Sequence, residues 1–304
     1  IQVMRDKGRD ARLIVYPGVG RGFDFRPATV RTFADDLASK DAVQRAASFM
    51  RKHLEQPPAS ADSGEPLTGE ALYNSDKAPH SLLYDLPLEV VPGVWSAIGA
   101  TAPRTYANSG HNNNLSFVIT DAGVIVVNAG DNYLLAKALH DEIRKITDQP
   151  VKYVVLENGQ GHAMLGASYW QEQGVPVIAH VDAAHEIEEQ AFALLQVMQE
   201  GTKEKAEGTK VVMPDETFSD ALTLPVTFQG QAIELLHFGR AHSPDDIQLW
   251  LPSARLIITG DFAFNERLLP ILPHTDAPSW LENWAKLEAL APVVVIPGHG
   301  DVTN

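Results

Sequence analysis

The chain has 304 residues, 44% of them hydrophobic, enough to bury a full core and to carry one large domain plus an appendage. Its 24 basic and 39 acidic side chains give a formal net charge of −15. The longest positive clusters, Arg5 to Arg12 and Arg51 to Lys52, are short and interrupted, so nucleic acid is not an expected partner. Cysteine is absent, which excludes disulfides, thiolate zinc sites and a cysteine nucleophile and leaves any metal with nitrogen and oxygen ligands. No apolar run approaches the roughly 20 residues that cross a bilayer, and Ile1-Gln2-Val3-Met4-Arg5-Asp6 lacks a signal-peptide core, so no membrane association is expected. A start on Ile1 suggests a fragment or a processed product, and a cytoplasmic location is only the default.

In chain order, Arg12 to Tyr16 reads as a short strand closed by Pro17-Gly18. Ser39 to Leu54 reads as a helix, with Val43, Ala46, Ala47, Met50 and Leu54 on one face and Ser39 as its N-cap. Residues 1–55 form a weak independent unit, and the Pro-, Ser- and acid-rich run Gln56 to Pro66 opens a linker over 56–87. Residues 88–304 form the main domain. Its strands are expected at Leu88 to Val91, Val94 to Ile98, Leu115 to Thr120 and Val124 to Val127. An amphipathic helix marked by Leu135, Leu139 and Ile143 follows, then strand Lys152 to Leu156, a glycine-containing loop, a helical stretch Ala167 to Gln173 and strand Val175 to Ala179. A longer helix carrying Ile187, Ala191, Leu194, Leu195 and Met198 leads to a charged loop, Glu200 to Thr209. The last strands are Leu224 to Phe228, Ile233 to Phe238, Ile247 to Leu251, Leu256 to Thr259 and Val293 to Ile296, with a helix at Trp280 to Leu290. Two β-rich halves, each with helices, predict an α+β fold of two sheets packed face to face with helices outside.

Ligand-type residues gather where strands end. Lys152 to Leu156 runs into Glu157-Asn158-Gly159-Gln160-Gly161-His162, Leu256 to Thr259 into Gly260-Asp261, and Val293 to Ile296 into Pro297-Gly298-His299-Gly300. His242 follows the strand Ile233 to Phe238. Strand ends hold side chains rigidly before an open crevice, which suits metal coordination and acid–base work. Singly, each has a plainer reading, a hydrogen-bonded surface histidine or an aspartate capping a turn. His111 either supplies a ligand or satisfies a turn, with the turn preferred, and His180 and His185 read as structural.

Gly93-Val94-Trp95, the run Asn114 to Gly130, Gly166 to His180, Ala241-His242-Ser243-Pro244-Asp245-Asp246, Thr259-Gly260-Asp261 and Pro297-Gly298-His299-Gly300 resemble, in order and spacing, the motifs of the metallo-β-lactamase superfamily. The resemblance implies an αββα sandwich over residues 88–304. The family's H-x-H-x-D-H pattern falls on Asn158, Gly159, Gln160, Gly161, His162 and Ala163 and is degenerate there. The resemblance implies a first metal site reduced to His242, with Asn158 and Gln160 as weak neutral oxygen ligands. It implies that the second site keeps His162, Asp261 and His299, two histidines and one carboxylate that suit one divalent metal, zinc being the expected ion. His162, Asp261 and His242 are then the candidate catalytic residues of a hydrolase of a small ester, lactone or amide. Asn128 stands where the family often has aspartate in a V-D-x-G turn. Loss of four family ligands at once also allows a metal-free, catalytically inactive domain that binds a small ligand or a protein partner.

Leu13-Ile14-Val15-Tyr16-Pro17-Gly18-Val19-Gly20-Arg21-Gly22-Phe23-Asp24, with the helix ending at Leu54, resembles the C-terminal end of a dienelactone hydrolase. Residues 1–55 are therefore expected to be a strand–helix remnant of an α/β-hydrolase. Arg21 occupies the family's triad-histidine position, and arginine cannot act as a general base at neutral pH. The parent product is expected to be a fusion in which this piece is not an active hydrolase.

Overall fold

The computed structural model describes residues 86–99, 113–202, 206–265 and 269–303. The expected remnant over 1–55, nearly all of the 56–87 linker and His111 lie outside them.

Strict alternation of apolar side chains builds the domain. One sheet has seven strands in sequence order: β1 (Leu88–Val91), β2 (Val94–Ala97), β3 (Leu115–Ile119), β4 (Val124–Val127), β5 (Val151–Val155), β6 (Val177–His180) and β7 (Glu216–Phe218). The other comprises β8 (Ala221–Phe228), β9 (Gln231–Leu236), β10 (Gln248–Leu251), β11 (Leu256–Phe264) and β12 (Val294–His299), ordered β12-β11-β10-β9-β8. Both are mixed: β4 to β7 pair in parallel and β11 pairs in parallel with β12, while the other neighbours are antiparallel.

Among the described residues, three hydrophobic clusters follow from the period-2 pattern. Val118, Ile125, Val127, Val155 and Ile178 of the first sheet meet Leu235, Leu249, Leu251, Leu256, Ile258 and Ile296 of the second. Their sequence neighbours Phe117, Val124, Val126, Val154, Val177 and Ala179 point the other way, against helices α1 (Tyr133–Ile146), α2 (Gly161–Met164), α3 (Ala167–Glu172) and α4 (Val181–Thr202). On the far side, Trp250, Ile257 and Phe262 pack against Trp280 and Leu287 of α5 (Ala277–Leu290). Each fully buried large side chain contributes about 1.5–3 kcal/mol. The layers are therefore helix, sheet, sheet, helix, as the two-half pattern predicts. Asn132 and Asp276 cap α1 and α5, accepting from Leu135 N at 2.9 Å and Ser279 N at 3.0 Å.

Several expectations need correction. β11 does not stop at Thr259 but runs to Phe264, and β12 continues to His299, so Asp261 and His299 are strand residues rather than loop residues. Parallel pairing carries the strands on past a register shift at Gly260. The glycine loop after β5 turns helical at Gly161, placing His162 in α2. α4 extends to Thr202 through the start of the expected charged loop. β7 was not anticipated, because three residues, Glu216 to Phe218, are too few for alternation to register.

His140 tests the outer core. It is buried on α1, its Nδ1 lies 2.9 Å from the Tyr169 hydroxyl, and its ring packs on Trp170. Burial, with Arg144 adding to it, lowers its pKa to about 4. The unfolded chain takes up this proton first, so stability is complete above the ordinary histidine pKa and declines as pH falls from there toward 4. The stability advantage of the native protein over His140→Gln should shrink by about 1 kcal/mol between pH 7 and pH 5, after discount for partial solvation. Urea unfolding at the two pH values measures it; a constant difference contradicts burial as the cause.

Candidate metal centre

Four strands and one loop deliver polar side chains to one region. β4 leads through Asn128 to Asp131, β5 through Glu157 to His162, and β11 and β12 carry Asp261 and His299, while the β9–β10 connection carries His242. Asp131, Gln160, His162, His242, Asp261 and His299 line one cavity of about 410 Å³.

Asp261 is its hub. Its Oδ1 lies 3.1 Å from His299 Nε2, and its Oδ2 lies 3.5 Å from His162 Nε2 and 3.7 Å from His242 Nδ1. His162 Nε2 also approaches Glu157 Oε1 at 2.8 Å. Aromatic packing holds two of the imidazoles. The His299 ring stacks on Phe264 at 5.1 Å, and the His242 ring lies 5.7 Å from Phe264 and 6.1 Å from Trp280.

The two carboxylates are buried beside each other, which fixes the electrostatics. Burial and the Asp261 charge together raise the Glu157 pKa. Burial also opposes ionisation of Asp261, but His162 and His299 outweigh it and hold its carboxyl well below the usual range. Burial lowers the His162 pKa, yet Asp261 and Glu157 overcome this and raise it to about 9. Without a metal, a proton on His162 is thus the counter-charge between the two acids. Burial raises Asp131 to about 6, with His162 and His299 working against it.

A second layer fixes the loop after β5. Asn128, at φ 70°, accepts the Glu157 backbone N–H on its Oδ1 at 3.1 Å. Asparagine tolerates that left-handed conformation better than most residues. Gly159 N donates to Asp245 Oδ2 at 2.6 Å, and a Cβ on Gly159 would press on Ala183 O and Glu186 Cβ. Burial and the Asp246 charge push Asp245 up to about 7. Asp246 accepts from Ser243 N at 2.7 Å and Ser243 Oγ at 2.5 Å.

Of the residues singled out in the sequence, His162, His242, Asp261 and His299 come together. Gln160 reaches the group's edge, with Nε2 3.3 Å from His242 Nδ1. Asn158 is turned elsewhere: its Nδ2 donates to Asp246 Oδ1 at 3.4 Å and its Oδ1 accepts from Gln160 N at 3.0 Å. His180 lies apart, stacked on His237 at 4.0 Å with Nε2 2.5 Å from Ser219 O. Sequence reasoning missed Glu157, Asp131 and His274, all close to or lining the centre. A carboxylate two residues past a parallel strand was the available signal for Glu157, and the residue after Gly130 for Asp131; His274 follows no pattern.

The donor set fits a divalent cation. Glu157, His162 and Asp261 each offer a ligand atom, all within 4.8 Å of one another. Glu157 Oε2 is buried without a hydrogen-bond partner, an arrangement that a cation would relieve.

Gly260 is the backbone condition for this pairing. Its φ is +55°, and a Cβ there would overlap the Glu157 carboxylate. Gly260→Ala should cost about 2 kcal/mol of stability. Glu157→Ala in the same chain should recover part of that loss, giving a non-additive cycle in chemical unfolding. Strict additivity would separate the glycine from Glu157.

Residues 161–299 match the family model of the metallo-beta-lactamase superfamily. The type 2 metallo-beta-lactamase of Bacteroides fragilis is 24% identical over 196 residues, 60% of this chain and 70% of that protein. Among solved structures, a metallo-beta-lactamase from Pontibacter korlensis superposes with a TM-score of 0.57 at 22% identity, covering 72% of this chain and 92% of that one. FIM-1 from Pseudomonas aeruginosa, in its mono-zinc form, gives 0.57 at 15% identity, covering 74% and 92%. The chain is thus similar to the metallo-beta-lactamase superfamily over residues 161–299 and shares the fold of the solved metallo-beta-lactamases.

Proposed function

We propose that the domain is a metal-dependent hydrolase of a small ester, lactone or amide, using one divalent metal held by Glu157, His162 and Asp261 with His299 alongside. The observation that carries this reading is the convergence of two buried carboxylates and His162 within 4.8 Å, one carboxylate oxygen being unpartnered. In this reading the H-x-H-x-D-H positions have degenerated to Asn158, Gln160, His162 and Ala163, and Glu157 compensates with a carboxylate from the preceding position. Such a metal would polarise the substrate carbonyl and acidify water. Zinc accepts this mixed nitrogen and oxygen set, and so do iron and manganese.

The chain's own groups supply the remaining work. His242 lines the cavity 3.7 Å from Asp261, and burial notwithstanding, Asp246 and Asp261 raise its pKa. It is placed to donate a hydrogen bond to charge developing on the acyl oxygen. Asp131 lines the same cavity and is placed to carry a proton from water to the leaving group.

Elemental analysis of protein purified without chelator should find about one equivalent of zinc, iron or manganese. It should be lost from His162→Ala, His299→Ala and reduced at least tenfold in affinity in Glu157→Gln. No stoichiometric metal after incubation with excess ion sinks the reading and leaves the inactive binding domain. Asp131→Asn should keep the metal and lower kcat for p-nitrophenyl acetate about 10²-fold; an unchanged kcat removes Asp131 from proton transfer.

A further inference from the structure

We propose, resting on the hydrolase reading of the same site, that the substrate carries an uncharged apolar chain of medium length. The chain lies along α4 with the reacting carbonyl turned toward Asp261 and His242.

The cavity is chemically divided. Its floor is the polar cluster, and its wall is made by Leu165, Leu194, Val197, Met198, Pro270 and Leu272. α4 supplies the key surface because it has two faces. Ala183, Ile187 and Ala191 are buried in the outer core, while Met198, also buried, reaches the cavity as well. Glu186, Gln190, Leu194 and Val197 recur at helical spacing along the cavity side. Along that stripe polarity falls: Gln190 donates to Glu186, and one turn later the wall becomes leucine and valine.

Two further observations give the wall a purpose. Gly161 lines the cavity next to His162 in the chain, and a Cβ there would meet Leu165 Cδ1 at 3.2 Å and Leu194 Cβ at 3.9 Å. Its missing side chain leaves space against Leu165 and Leu194. Val197 is 53% exposed, and Leu269 and Ile271 are exposed on the segment that includes the lining residues Pro270 and Leu272. A volume of about 410 Å³ suits a ligand larger than a two-carbon acyl group. Asp131 and Glu186 line the same space and repel a carboxylate, so the chain that fits is uncharged.

Two readouts on the metal-loaded full chain test this. One is the affinity for the neutral dye N-phenyl-1-naphthylamine and its displacement by 1-octanol. The other is the ratio of kcat/KM for p-nitrophenyl octanoate to that for p-nitrophenyl acetate. The native ratio should exceed one, and Leu194→Asn, Val197→Asp should lower both ratio and dye affinity about tenfold or more. Phe192→Ser, on an exposed position of the same helix away from the cavity, should change neither. Val197→Asp alone, at a half-exposed position, keeps the test open if the double variant does not fold. Dye that 1-octanol cannot displace, or that binds the variant equally well, overturns the proposal. Octanol-displaceable binding lost in the variant without turnover of either ester supports the chain site and sinks the hydrolase reading. Turnover of both esters with no chain preference does the reverse.

Discussion

A carboxylate buried among three imidazoles and facing a second buried carboxylate is the constraint on which the centre depends. Asp261 is 2% exposed in the middle of β11, where an unpaired charge would be prohibitively costly. Everything around it supplies compensation. His162, His242 and His299 come from three different parts of the chain to within 3.7 Å of its oxygens. Glu157 adds charge of the wrong sign and receives only one imidazole partner, so the cluster remains electrostatically incomplete without a proton or a cation. A stability-driven core would have no reason to place Glu157 there, which is why this pair, rather than any single histidine, carries the functional argument.

The scaffold pays for this placement through backbone geometry. Gly260 takes a left-handed φ and gives up a side chain so that Glu157 can approach β11. Asn128 takes another left-handed φ and holds the Glu157 N–H. Further out, Asn114 donates to Pro297 O and Gly300 O, both at 2.8 Å, and so braces the end of β12 at His299 from the opposite sheet. The two sheets are therefore joined at the centre by polar bonds as well as by the apolar layer between them.

Most of the sandwich was legible because its strands alternate between two cores. Phe117 and Val118, or Leu256 and Ile257, fall on opposite faces as period 2 requires. What escaped was what local pattern cannot encode. β11 runs past Gly260 only because β12 continues beside it, and β7 is too short to show alternation. At the centre, the histidine and aspartate positions could be read from their place at strand ends and from the family resemblance, whereas Glu157 could not. Its role arises from Gly260, about a hundred residues later in the chain, leaving room for it. Asn158 shows the converse: its position matches a ligand motif, but bonds to Asp246 and Gln160 occupy its amide.

The same helix that closes the outer core also lines the cavity, so packing and the shape of the cavity are coupled. Ile187 and Ala191 are fully buried, and Glu186, Gln190 and Leu194 lie beside them facing the cavity. Any change that rotates or shifts α4 to relieve its core face therefore moves the polar and apolar parts of the wall together. Gly159 tightens this link, since its backbone lies against α4 at Ala183 and Glu186 while its N–H is held by Asp245. On the proposed hydrolase reading, the polar floor and the apolar wall then move together, and substrate choice depends on the register of α4 on the sheet as well as on the residues that reach the reacting atoms.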